Sequence, residues 1–134
     1  MVRLLHVITV DATQERLERV KALLQSLAFP GTEVEVMTLA GGPLDLEHYQ
    51  REHEAIALMV KRVPAMVREK AIDAVSIGCF YDPGVRLLRE MLGIPVVGVG
   101  EASMHLASLL GHRFSVLVGR KNWIPLMSDN ALAY

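Results

Sequence analysis

Apolar and polar positions along this chain switch between two periods, short β-rich apolar runs alternating with the three- and four-residue spacing of helices. Arg3 to Val10, RLLHVITV, is a mostly apolar run that fits a strand covered on both faces. Asp11, Ala12 and Thr13 supply a turn and a helix cap. From Gln14 the residues Leu17, Val20, Leu24 and Leu27 recur at helical spacing, with Arg16, Glu18, Arg19 and Lys21 on the other face, until Pro30-Gly31 stops the pattern. Glu33 to Leu39 alternates Glu and Val before turning apolar, which suits a strand at the sheet edge, and Gly41-Gly42-Pro43 breaks it.

A long helix is expected next, with Ile56, Met59, Val60, Val63 and Val67 on one side and Pro64 kinking or splitting it. Ala74 to Gly78 reads as the central strand, Pro83 to Leu92 as a helix closed by Gly93, and Pro95 to Val99 as another buried strand. Glu101 to Leu110 is helical, Gly111 stops it, Phe114 to Val118 reads as a fifth strand, and Trp123 to Tyr134 begins another helix. Strand and helix alternating in this way predict an α/β fold, a three-layer sandwich whose mostly parallel sheet carries helices on both faces.

The stretch Ala74 to Gly84, AVSIGCFYDPG, places the only cysteine at the carboxyl end of the central strand. Open α/β sheets bind ligands beyond the carboxyl ends of their strands, and a thiol near a helix N-terminus can have its pKa lowered below the ordinary ~8.5. Asp82 is expected to cap the helix that Pro83 opens. Cys79 therefore stands where a thiolate is useful, against the alternative of an inert cysteine packed as a small apolar residue.

Composition narrows the picture without adding chemistry. A chain of 134 residues, 51% hydrophobic and 22% charged, is expected to form one soluble globular domain. A formal charge of -1 gives no electrostatic reason for nucleic acid or an acidic membrane. A single cysteine cannot form an internal disulfide, and the N-terminus shows strand patterning, so a cytoplasmic protein is expected, with no apolar run near the roughly 20 residues of a membrane span.

Other residues favour structural roles. His48 and His53 are five apart, not the i, i+4 of helical metal ligands, His105 has no identifiable partner, and no metal is expected. Gly98-Val-Gly100 resembles a dinucleotide turn only weakly, because Ser103 replaces its third glycine. Glu101 favours the helix dipole or braces loops near the site, and Met59, Met66, Met91 and Met104 read as core filler.

Three stretches together resemble the aspartate/glutamate/hydantoin racemase superfamily, in its hydantoin and allantoin racemase branch: Gly42 to Glu47 (GPLDLE), Ile77 to Gly84 (IGCFYDPG), and Pro95 to Ala102 (PVVGVGEA) leading to Arg113-Phe-Ser-Val116. They match in order and approximate spacing that branch's GP-x-S-I-E turn, its cysteine followed by F-G-D-P-G, and its V-V-G-I-x-E-A junction; the cysteine motif is the most specific. The resemblance implies two similar α/β halves around a cleft, each giving one catalytic cysteine, with no cofactor. One thiolate removes a proton from the stereogenic carbon and a thiol on the opposite face returns one. Cys79 matches the first of the pair, and the second would lie past Tyr134.

On this reading residues 1–110 form the racemase-like α/β domain and residues 111–134 start the second half, so racemisation is not expected from this chain alone. Removing a proton beside a carbonyl leaves an enolate-like anion, which the amides of Phe80 and Tyr81 are placed to face. The resemblance also assigns substrate contacts to Thr9, Asp11, Leu46, Val118 and Gly119, all but Leu46 lying in two stretches that depart from the branch. Thr9-Val10-Asp11 replaces the branch's Asn-Pro-Asn, bringing a carboxylate that would repel an anion, and Val118-Gly119 replaces a threonine pair. The expected ligand is a small carbonyl compound with an acidic C–H. The other reading is a non-catalytic binding or assembly module of the same fold. Exposed cleft surface predicts a homo-oligomer, through Trp123 to Tyr134 or the Cys79 edge.

Overall fold

In the computed structural model, which describes all 134 residues, four strands form one sheet: β1 (Val2–Ile8), β2 (Thr32–Thr38), β3 (Ala74–Ile77) and β4 (Val96–Gly98). Their order is β2-β1-β3-β4 and every pairing is parallel, with Val2 opposite Thr32, Leu5 opposite Val75 and Val75 opposite Val96. The helices are α1 (Gln14–Leu27), α2 (Tyr49–Lys70), α3 (Val85–Met91), α4 (Val99–Leu110) and α5 (Trp123–Ala133). The chain leaves β1 in one direction to reach β2 and crosses back in the other to reach β3 and β4. Right-handed crossovers then put α1 on the opposite face of the sheet from α2 and α3. The expected α/β architecture is present, with the sheet wholly parallel.

The core forms where the central strands meet the crossover helices. Leu5 and Val7 of β1, Val75 and Ile77 of β3, Met59 and Val63 of α2 and Leu88 of α3 are sealed from solvent. α1 covers β2 more loosely. Leu17, Val20 and Leu24 are half-buried, and Leu27 at the helix end lies in solvent. Thr13 caps α1 as its position suggests, its Oγ1 accepting from the Arg16 amide at 3.3 Å.

Four expectations are corrected. Phe114 to Val118 forms no strand: Val116 and Val118 turn inward and Leu117 outward, the alternation of a strand, but no ladder joins them to β4. β4 is three residues long and its Gly98 passes straight into α4, so it offers almost no edge to pair with. β4 is consequently an edge strand with Val97 exposed, not one buried on both faces. Pro64 does not split α2, because Ala55, Met59 and Val63 form one buried stripe whose packing outweighs the roughly 3 kcal/mol cost of an interior proline. Finally, α3 starts at Val85 with Gly84 as N-cap at φ 71°, and Asp82 does not cap it.

Candidate active site at the carboxyl edge of the sheet

Strand order locates the site before any side chain is considered. The chain reverses direction across the sheet between β1 and β3, and ligand crevices of open α/β sheets lie beyond the carboxyl ends of the strands at such a switch point. Thr9 directly follows β1, and Cys79 comes two residues after the end of β3. A cavity of about 340 Å³ opens there. Ile8 and Gly78 are at its base, Thr9 and Val10 on the β1 side, and Cys79, Phe80 and Tyr81 on the β3 side. Leu46 with its neighbours Asp45 and Glu47, Leu117 to Gly119, Trp123 and Arg16 complete the wall.

Six of the residues expected beside Cys79 line this cavity with it: Thr9, Leu46, Phe80, Tyr81, Val118 and Gly119. Asp11 does not. Its Oδ2 accepts the Gly41 amide at 3.0 Å and its own amide donates to the Pro43 carbonyl at 2.8 Å, so it fastens the loop after β2. The repulsion expected from its carboxylate therefore has no place in the cavity. Arg16, Asp45, Glu47 and Trp123 were not anticipated. The signal for Arg16 was its place three residues past the Thr13 cap, in the first turn of the helix that leaves β1. The sole tryptophan carried none: it reaches the site because α5 folds back, its ring meeting Tyr81 edge-on with centroids 4.7 Å apart.

The turn that presents the thiol is closed by the Asp82 amide donating to the Cys79 carbonyl at 3.0 Å. Two donors face the sulfur, the Tyr81 amide and the Thr9 hydroxyl. Neither the Tyr81 nor the Phe80 N–H has a main-chain partner. Burial pushes the Cys79 thiol above its ordinary range; the two hydrogen bonds oppose this, and the negative charges of Asp82 and Glu52 add to it. This corrects the expectation of a depressed pKa. The helix expected to favour the thiolate does not do so, since α3 begins six residues later, and the nearby carboxylates favour the neutral form.

Asp82 has another task. Held at φ 55° and nearly buried, it sends its carboxylate across to α4, accepting from Gly100 N at 2.9 Å and Glu101 N at 2.6 Å. It caps that helix from 18 residues upstream. Gly98 and Gly100 make this possible. A Cβ on Gly98 would come within 2.4 Å of the Asp82 carboxylate, and one on Gly100 within 2.3 Å of the Phe80 carbonyl. The G-x-G pair is a socket for Asp82, with no resemblance left to a phosphate turn. Tyr134 Oη donates to Asp82 at 2.7 Å and Asn130 Nδ2 to the Tyr81 carbonyl at 2.9 Å, so α5 is bound to the same turn. Glu101 braces as well: Arg89 pairs with it and donates from Nε to the Val96 carbonyl at 2.8 Å, and this partner lowers the Glu101 pKa.

His48, the N-cap of α2, and His53 within that helix are exposed, and His105 lies 6.3 Å from Tyr134, ring centre to ring centre. No group of three His, Cys, Asp or Glu side chains is arranged to hold a metal ion, and no helix is long and apolar enough to cross a membrane.

Comparison with known proteins agrees with this geometry. The family model for Asp/Glu/Hydantoin racemase matches residues 5–134. The chain is 32% identical over 111 residues to hydantoin racemase of Pseudomonas sp. (strain NS671), covering 83% of this chain and 44% of that protein. It is also 32% identical to hydantoin racemase of Paenarthrobacter aurescens, with 83% and 47% covered. Allantoin racemase from Klebsiella pneumoniae superposes with a TM-score of 0.89 at 27% identity, over 99% of this chain and 54% of that one. The Pseudomonas fluorescens allantoin racemase gives 0.87 at 29%, over 98% and 55%. The chain thus spans about half the length of the relatives it matches. With its cysteine turn at the switch point and a family match over nearly its whole length, the chain belongs to the Asp/Glu/hydantoin racemase family.

Proposed function

We propose that this chain supplies one half of a cofactor-independent racemase site, with Cys79 moving the proton on one face of a small carbonyl compound. The observation that carries the reading is the thiol on the wall of the switch-point cavity, with the Thr9 hydroxyl and Tyr81 amide directed at its sulfur. The relatives' names give the substrate class, hydantoins and allantoin. A cavity of about 340 Å³ suits one small heterocycle.

In such a ring the stereogenic carbon adjoins a carbonyl that takes up negative charge when the C–H proton leaves, so no cofactor is required. The Cys79 thiolate accepts the proton and becomes a thiol; the electron pair moves into the ring carbonyl as an enolate, which the unpartnered Phe80 N–H stabilises. Return of a proton from the opposite face inverts the centre. Return from Cys79 restores it. Because burial favours the protonated thiol, Cys79 at neutral pH also serves as donor to an enolate formed by a base on the other face.

The test uses a single-enantiomer alkyl hydantoin in deuterated water. With one thiol, this chain is expected to exchange the C–H for C–D in the enantiomer whose C–H faces Cys79, with configuration retained. Cys79→Ala should reduce exchange to the uncatalysed rate. Exchange that persists in Cys79→Ala removes the thiol from the reaction. Binding without any exchange leaves the non-catalytic module.

A further inference from the structure

The charges on the cavity wall do not cancel one another. Asp45 is paired with Arg51, and Glu47 with Arg120 at 2.6 Å. Each carboxylate thus has its own arginine. The third charged side chain of the wall, Arg16, has no ion pair, and its guanidinium makes no hydrogen bond; only its backbone amide is engaged, by Thr13. Asp11, the carboxylate of the loop between β1 and α1, is turned to the Gly41 amide. The cavity therefore offers an incoming molecule one unspent cation, on the rigid first turn of α1, facing the same space as the Cys79 thiol.

From this charge balance we infer that Arg16 is a specificity residue that selects substrates carrying a carboxylate. The preferred ligand is a carbonyl compound with its acidic C–H at Cys79 and an anionic arm at Arg16, in preference to a neutral ring. A guanidinium meets a carboxylate with two parallel N–H donors, so the contact orients the ligand as well as attracting it. The inference rests on the proposed function for its substrate class, but the presence of a cation that acts at the thiol can be read without any catalysis.

Cys79 is the only cysteine, so alkylation reports on this cavity alone. Iodoacetate and iodoacetamide react with the same thiolate and differ in charge; the ratio of their rates cancels the thiolate fraction and measures the local field. The ratio in the native chain should exceed that in Arg16→Gln by about three- to ten-fold at low ionic strength, and the difference should shrink as salt is added. Arg16→Lys should keep most of the excess. Because the Arg16 side chain is exposed and bonded to nothing, both variants are expected to fold, which circular dichroism checks.

A hydantoin bearing a carboxymethyl arm should then protect Cys79 from iodoacetamide at lower concentration than its neutral ethyl counterpart, an advantage that Arg16→Gln abolishes. An unchanged alkylation ratio in Arg16→Gln, an equal fall in Arg16→Lys, or equal protection by the charged and neutral rings would each overturn the inference. A charge-dependent ratio with no protection by either ring would retain the cation at the thiol and count instead against the hydantoin reading.

Discussion

A half-buried thiol between a hydroxyl and a main-chain amide is a compromise between opposing electrostatic effects, and Cys79 shows which of them prevails. Desolvation penalises the thiolate, the Tyr81 amide and Thr9 hydroxyl favour it, and Asp82 and Glu52 oppose it again, leaving the pKa above its ordinary value. Two consequences share one sign. The folded chain holds the thiol proton more tightly than the unfolded chain, so alkylation by iodoacetamide at about pH 8 should be slower in the native protein than in urea, where a free thiol near pKa ~8.5 is more ionised. Stability against urea should also fall as pH rises through the unfolded thiol value toward the folded one, and this fall should be absent from Cys79→Ala. A native alkylation profile with its midpoint below that of the unfolded chain would contradict both. His6 follows the same logic with opposite charge, burial lowering its pKa while its Nδ1 lies 2.7 Å from Ser76 Oγ. Its ring occupies the space beside Gly78, where a Cβ would stand 2.4 Å from Nε2. The residue before the cysteine is a glycine because the neighbouring strand fills the space a side chain would need.

Elements here are joined by side chains that reach outside their own segment, and Asp82 is the strongest case. Its carboxylate caps α4 through two amides and receives the hydroxyl of Tyr134, linking the Cys79 turn to α4 and α5. Asp82→Ala should remove an N-terminal cap and strand buried donors, at a cost of about 1–3 kcal/mol in urea unfolding. Tyr134→Phe removes only one of the three bonds and should cost less, on the order of 1 kcal/mol. Equal losses in the two variants would mean that the cap on α4 contributes nothing. This junction also explains what was legible in advance. Period and punctuation were enough for β1, α1 and β2, because their hydrophobic faces are built from neighbours in sequence. They failed at Asp82 and at Phe114 to Val118, where the outcome depends on distant partners: a socket made by Gly98 and Gly100, and a β4 too short to pair. The cysteine turn was legible as a motif. The ionisation of its thiol was not, since burial and the charges of Asp82 and Glu52 are properties of the assembled chain.

At the scale of the whole molecule, the apolar surface is unevenly distributed. α4 buries Gly100 and Met104 against the fold but presents Leu106, Leu109 and Leu110 to solvent at three- and four-residue spacing. The segment after it adds Phe114 and Leu117, the latter 95% exposed. Scattered exposed leucines are ordinary; several on one helix face beside an unpaired apolar segment are not, because water-facing apolar area of this kind favours association. Trp123 and Met127 of α5, by contrast, turn inward, Trp123 against Tyr81 and Met127 into the core, and Tyr134 is engaged by Asp82. The expected self-association is therefore argued from α4 and residues 114–117 in place of Trp123 to Tyr134. Sedimentation velocity over two decades of protein concentration should show the weight-average mass rising above that of one chain. Replacing Leu109 and Leu110 together by lysine should hold it at the monomer, since burying two unpaired ammonium groups in an apolar contact costs more than the contact returns. Both positions are exposed and neither lines the Cys79 cavity, so circular dichroism and the Cys79 alkylation rate should remain those of the parent. A parent chain that stays monomeric throughout that range would leave the α4 face as surface that water tolerates, and would remove association from the account.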